Sequence, residues 1–111
     1  MAATRLRIIS EWRRYAHIAA RAARQVVPEA KVYLVGGAAE DRLTVLSDID
    51  ILVVLPHRPG FREAVGLRAR ILEEAEKLGL PLYAPVELHI VGEEELERYR
   101  RMGKLVPLEP Q

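Results

Sequence analysis

The run Ile49-Asp50-Ile51-Leu52-Val53-Val54-Leu55 does most to narrow what this chain can fold into. Six of its seven residues are aliphatic and Pro56 closes it, so it reads as a buried strand from Ile49 to Leu55. Asp50 interrupts the run near its head, between Ile49 and Ile51, and Asp48 stands two residues earlier. A carboxylate among buried aliphatic side chains is costly unless it is paired or holds a cation. Two aspartates spaced by two along a strand share a face and repel one another. A hard divalent ion removes that repulsion, and Mg²⁺ typically takes one or two carboxylates together with substrate phosphates. The plainer reading, that Ser47-Asp48 is turn chemistry, explains Asp48 but not Asp50.

A second feature lies just upstream. Val35-Gly36-Gly37 ends a short apolar stretch, and Ser47-Asp48-Ile49-Asp50 follows ten residues after the second glycine. Glycines let the main chain approach a bulky anion closely, and exposed backbone N–H groups can hold phosphate. A glycine turn coupled to paired carboxylates is therefore a phosphate-approach loop beside a metal site. Ser47 can contact phosphate, orient Asp48 or cap local structure, and the two kinds of role are evenly balanced. Arg42 lies between turn and acids, which makes it the best placed of the arginines for phosphate.

From Lys31 to Val91 the chain resembles the polymerase β-like nucleotidyltransferase superfamily, in which Gly-Gly or Gly-Ser precedes a hydrophobic-flanked Asp-x-Asp at about this spacing. It looks like the minimal nucleotidyltransferase domain of that family. The resemblance implies metal ligation by Asp48 and Asp50, and a third carboxylate on a later strand. Val86-Glu87-Leu88-His89-Ile90-Val91 offers Glu87, as ligand or base. It also implies nucleotide contacts from Gly36, Gly37, Ser47 and Arg42, with Mg²⁺ or Mn²⁺ as cofactor. The reaction implied moves NMP from an NTP, with ATP expected, to a hydroxyl. Ala38, Ala39 and Glu40 stand where the family often has basic residues. That departure supports an alternative, a binding or antitoxin subunit that keeps the fold without robust catalysis. A haloacid-dehalogenase-like phosphatase is disfavoured, because there the apolar strand precedes its Asp-x-Asp. His89 shares Glu87's face by strand parity, but such a histidine is more often simply exposed.

Length and composition agree with one small domain of 111 residues, half of them apolar. Net charge is +1, so nothing global argues for nucleic acid, although residues 1–31 carry seven basic against two acidic side chains. There is no cysteine, hence neither disulfide nor thiolate site. No apolar run approaches membrane-spanning length and no signal peptide is visible, so a cytoplasmic location is the default expectation. The absence of asparagine, with many arginines and glutamates, leans toward a thermophilic source.

The apolar spacing predicts a helix over 6–27, with Ile9, Trp12, Ala16, Ala19, Ala23 and Val26 inward and Pro28 ending it. Strands are expected over 31–35, 49–55 and 86–91, with a short helical turn and loop over 38–46. A helix over 61–78 turns Ala64, Leu67, Ile71, Ala75 and Leu78 inward and is capped by Gly79. A charged helix over 93–102 is expected next, then an edge strand over 105–108. That order predicts an α+β fold, a small mixed sheet with helices packed mainly on one face, as the resemblance also implies. The chain holds no further helical domain to complete an acceptor cleft, so a second copy or a separate protein is expected to do so. The resemblance points to a small helical HEPN-type protein, the toxin of a toxin–antitoxin pair.

Overall fold

The computed structural model describes residues 2–42 and 47–110, with side chains from Ser10 onward. Expectations for Leu43 to Leu46, and for the inward side chain of Ile9, lie outside the described residues. The elements run α1 (Ala2–Val26), β1 (Lys31–Val35), α2 (Gly36–Ala39), β2 (Ile49–Leu55), α3 (Phe61–Lys77) and β3 (Val86–Gly92). A 3₁₀ turn (Glu93–Glu95), α4 (Leu96–Met102) and β4 (Val106–Pro107) follow.

The sheet has the order β3-β2-β1-β4. β1 pairs antiparallel with both β2 and β4, whereas β2 and β3 run parallel. The sheet is mixed, as the element order predicted. The differences are small and local: α1 begins at Ala2 rather than at residue 6, and α2 at Gly36 rather than at residue 38. The helix expected over 93–102 begins as a 3₁₀ turn, and the edge strand is two residues long, Val106–Pro107, with the N–H of Leu108 still bonded to the Val32 carbonyl.

Strand alternation divides the side chains between two faces. On one, Ile49, Ile51, Val53 and Leu55 of β2 join Leu88 and Ile90 of β3 and Val32 and Leu34 of β1 in the main core, closed by α1 and α3. Small residues on α1, namely Ala16, Ala19, Ala20 and Ala23, are almost wholly buried and let that helix lie close. Ile71 and Ala75 do the same for α3, with Ala64, Leu67 and Leu78 at its margins. The helix ends as Gly79 predicted. Gly79 has φ +109°, its N–H bonds to the Glu76 carbonyl, and the N–H of Leu80 bonds to that of Ala75, a Schellman stop.

The opposite face carries a smaller apolar cluster of Val35, Leu52, Val54 and Val91, roofed by Leu96, Tyr99 and Leu105. β2 is therefore apolar on both sides, which accounts for its unbroken run after Asp50. Among the described residues no helix is long and apolar enough to cross a membrane.

Candidate active site

Asp50, Leu52 and Val54 share the smaller face, and so do Glu87, His89 and Val91 of β3. Because β2 and β3 are parallel and in register, Asp50 faces Glu87 and Leu52 faces His89. Both acids thus lie near the starts of neighbouring strands, at one end of the sheet. A ligand atom from each of Asp50, Glu87 and His89 can be chosen so that all three lie within 4.8 Å of one another. The Nε2 of His89 is 3.2 Å from Oδ1 of Asp50. An ionised carboxylate can only accept, so in this contact the ring nitrogen carries the hydrogen. Glu87 is exposed, while Asp50 and His89 are half-buried.

Gly36 is held in place by this arrangement. Its φ is +70°, and a Cβ built there would come 2.7 Å from Oδ2 of Asp50. Any side chain would be strained in its backbone and would press on the carboxylate. The glycine turn and the Asp-x-Asp, ten residues apart in sequence, are thus one packed unit. The sheet brings them together by pairing Val35 with Asp50.

The other residues singled out from sequence take different places. Asp48 is exposed and precedes the first residue of β2, so strand parity does not fix its side chain, and it stands outside the three-residue cluster. Ser47 is half-buried beside it. Gly37 accepts a backbone hydrogen bond from the N–H of Arg42 at 2.7 Å, which curls the chain back after α2. The guanidinium of Arg42 is exposed and pairs with Glu40 at 2.7 Å.

A cavity of about 230 Å³ opens beside the acids. Its lining includes Gly36, Glu40, Asp50 and His89 together with Tyr99, Met102 and Lys104. Sequence reasoning missed the α4 wall, since nothing local links residues 99–104 to an acid near residue 50. It also undervalued His89; the available signal was the parity shared with Glu87.

Two carboxylates and an imidazole at this separation suit a divalent cation. Donors bound to one Mg²⁺ at about 2.1 Å lie about 3 Å apart when adjacent and about 4.2 Å apart when opposite, so the three side chains would have to close up around an ion to hold it.

Comparison with known proteins agrees with the fold. Residues 18–106 match the family described as "Nucleotidyltransferase domain". A crystal structure of a candidate nucleotidyltransferase from Sulfolobus solfataricus superposes with a TM-score of 0.64 at 19% identity, over 94% of this chain and 87% of that one. A second, also described as a candidate nucleotidyltransferase, gives 0.50 at 27% identity over 80% and 91%. No curated protein sequence matches significantly. With four fifths of its length matched, sharing the mixed sheet and presenting acids on adjacent strands, the chain belongs to the nucleotidyltransferase domain family, and nucleotidyl transfer is its class of activity.

Proposed function

We propose that the protein transfers AMP from ATP to a hydroxyl on a protein acceptor, with Mg²⁺ or Mn²⁺ as cofactor. The observation that carries this reading is the register of Asp50 with Glu87 at one end of the sheet, beside a turn where only glycine fits. Asp50 and Glu87 would hold the ion, joined by Asp48 on rotation of its exposed side chain. When bound, the ion supplies charge neutralisation for the phosphates and the leaving pyrophosphate and lowers the pKa of an acceptor hydroxyl.

The chain's own residues do the rest. Gly36 and Gly37 admit the β- and γ-phosphates to the main chain. Ser47, next to the acids, hydrogen-bonds a phosphate oxygen. Arg42 reaches phosphate by leaving Glu40, an exposed pair whose loss costs about 1 kcal/mol or less. Glu87, exposed at the rim, accepts the proton of the attacking hydroxyl. The cavity against Tyr99 and Met102 takes the adjoining part of the nucleotide. Attack on the α-phosphorus in line with pyrophosphate departure needs no covalent enzyme intermediate.

The acceptor pocket is supplied by another chain. We take it to be a small helical protein of HEPN type in the same cytoplasm, with a tyrosine hydroxyl as target; a second copy of this chain is the other arrangement. The test is to incubate protein, α-labelled ATP, Mg²⁺ and that partner. Label on the partner, lost in Asp50→Ala, supports the proposal.

One observation favours a second reading, a binding subunit with weak catalysis. Glu40 lines the cavity where phosphate would lie, and it also occupies Arg42. A stable complex with the partner and no label from any of the four NTPs would support that reading and end the first.

A further inference from the structure

The third member of the cluster is a histidine, and two carboxylates alone would not raise the question it raises. His89 is half-buried on the site face, two residues beyond Glu87, with Nε2 against Asp50 Oδ1 at 3.2 Å. Its register partner on β2 is Leu52, a fully buried member of the small apolar cluster. Oδ2 of Asp50 lies where a Cβ on residue 36 would come within 2.7 Å, so Gly36 leaves the carboxylate its room. A cation that bridges Asp50 and Glu87 therefore meets an imidazole already within 4.8 Å of both.

We propose that His89 is a ligand of the divalent ion, and that it shifts the site's preference from Mg²⁺ toward transition metals, for which Mn²⁺ serves as the probe. The proposal rests on the reading of Asp50 and Glu87 as metal ligands. Its chemical basis is the donor set. Oxygen-only sites suit Mg²⁺, whereas an imidazole nitrogen favours first-row transition ions, for which affinity rises from Mn²⁺ along the series. Mg²⁺ also gives up its waters reluctantly and demands near-ideal octahedral geometry. A half-buried ring hydrogen-bonded to Asp50 suits it poorly. In the metal-bound form the ion replaces the hydrogen that Nε2 now shares with Asp50, and the ring hydrogen resides on Nδ1.

A purely orienting role for His89, as a hydrogen-bond donor to Asp50, would also weaken metal binding when lost, by about 10–100-fold. Affinity alone does not separate the two roles, but direct detection of nitrogen at the metal does. The folded protein is loaded with Mn²⁺ and inorganic triphosphate, which supplies phosphate oxygens and no nitrogen. Pulsed electron paramagnetic resonance is then recorded on protein carrying either natural or ¹⁵N-labelled histidine. The expected result is a histidine nitrogen coupling to Mn²⁺ that changes with the label and vanishes in His89→Gln. In parallel, calorimetric titration should show Mn²⁺ bound at least about tenfold more tightly than Mg²⁺, with the ratio falling toward unity in the variant.

Mn²⁺ bound with no histidine coupling overturns the inference and leaves the carboxylate site standing. Equal binding of Mn²⁺ by the wild type and by Asp50→Asn overturns the metal reading itself. Should His89→Gln fail to fold, the same comparison is made on His17→Gln/His57→Gln protein, in which a labelled-histidine coupling can come only from His89 and its absence overturns the inference.

Discussion

The two faces of the sheet are made from the same strands and serve opposite ends. Ile49, Ile51, Val53 and Leu55 point into a core roofed by α1 and α3, and none is more than 1% exposed. Between them, Asp50 points the other way, to a face with only a small apolar cluster and a short helix over it. Stability is concentrated on one side and the proposed chemistry on the other. The strand that carries the proposed metal-binding carboxylate gains rigidity from neighbours whose side chains lie on the other face. Adjacent residues of β2 should therefore respond very differently to the same substitution.

The largest effect is expected at Asp50. Replacement by Ala should lower nucleotidyl transfer roughly 10³-fold, the several kcal/mol that metal-ion catalysis supplies, while the unfolding midpoint stays near that of the wild type. Ile51→Ala should do the converse. A fully buried side chain in the main core costs about 2–5 kcal/mol when truncated, which denaturant unfolding will show, and enough folded protein should keep its turnover per active site. If the two variants lose stability equally, the division between the faces is wrong.

Gly36→Ala tests the boundary between them. A Cβ at φ +70° costs about 1–3 kcal/mol, and pressure on Oδ2 of Asp50 should lower turnover about 100-fold through misplacement. A loss of stability with normal turnover would show that the glycine serves the turn alone.

The smallest effect lies on the core side. Burial first, and then its hydrogen bond with Tyr83, push the Tyr15 hydroxyl above its ordinary value of 10.0. A group whose folded-state value is raised contributes stability that is complete below pH 10 and is lost as pH climbs through the folded-state value. Tyr15→Phe should flatten that alkaline decline by about 1 kcal/mol or less and leave nucleotidyl transfer unaltered. A steeper decline in the variant would contradict it.

Much of this architecture was legible in the chain. The bounds of β1 and β2 followed from apolar runs punctuated by glycine and proline, and the end of α3 from Gly79. Asp50 stood out because a charge inside an aliphatic run has few innocent explanations. Glu87 was reachable only with the family resemblance, since one polar residue in an alternating strand is common. What sequence could not supply was pairing at a distance. The contact of His89 with Asp50 depends on β3 lying parallel to β2 in one register, and the wall from Tyr99 to Lys104 depends on where α4 folds back. Asp48 shows the limit of a local rule. Parity along a strand was applied one residue before the strand begins, where it has no force.

The parallel pairing of β2 with β3 also bears on how the molecule comes to exist. Parallel neighbours cannot be joined by a tight turn, so the chain must traverse the whole of α3 before Glu87 reaches Asp50. Closing that long loop costs entropy before any contact rewards it. The proposed cation site thus exists only once the crossover has docked, and an ion that binds it would draw the folding equilibrium toward the finished arrangement.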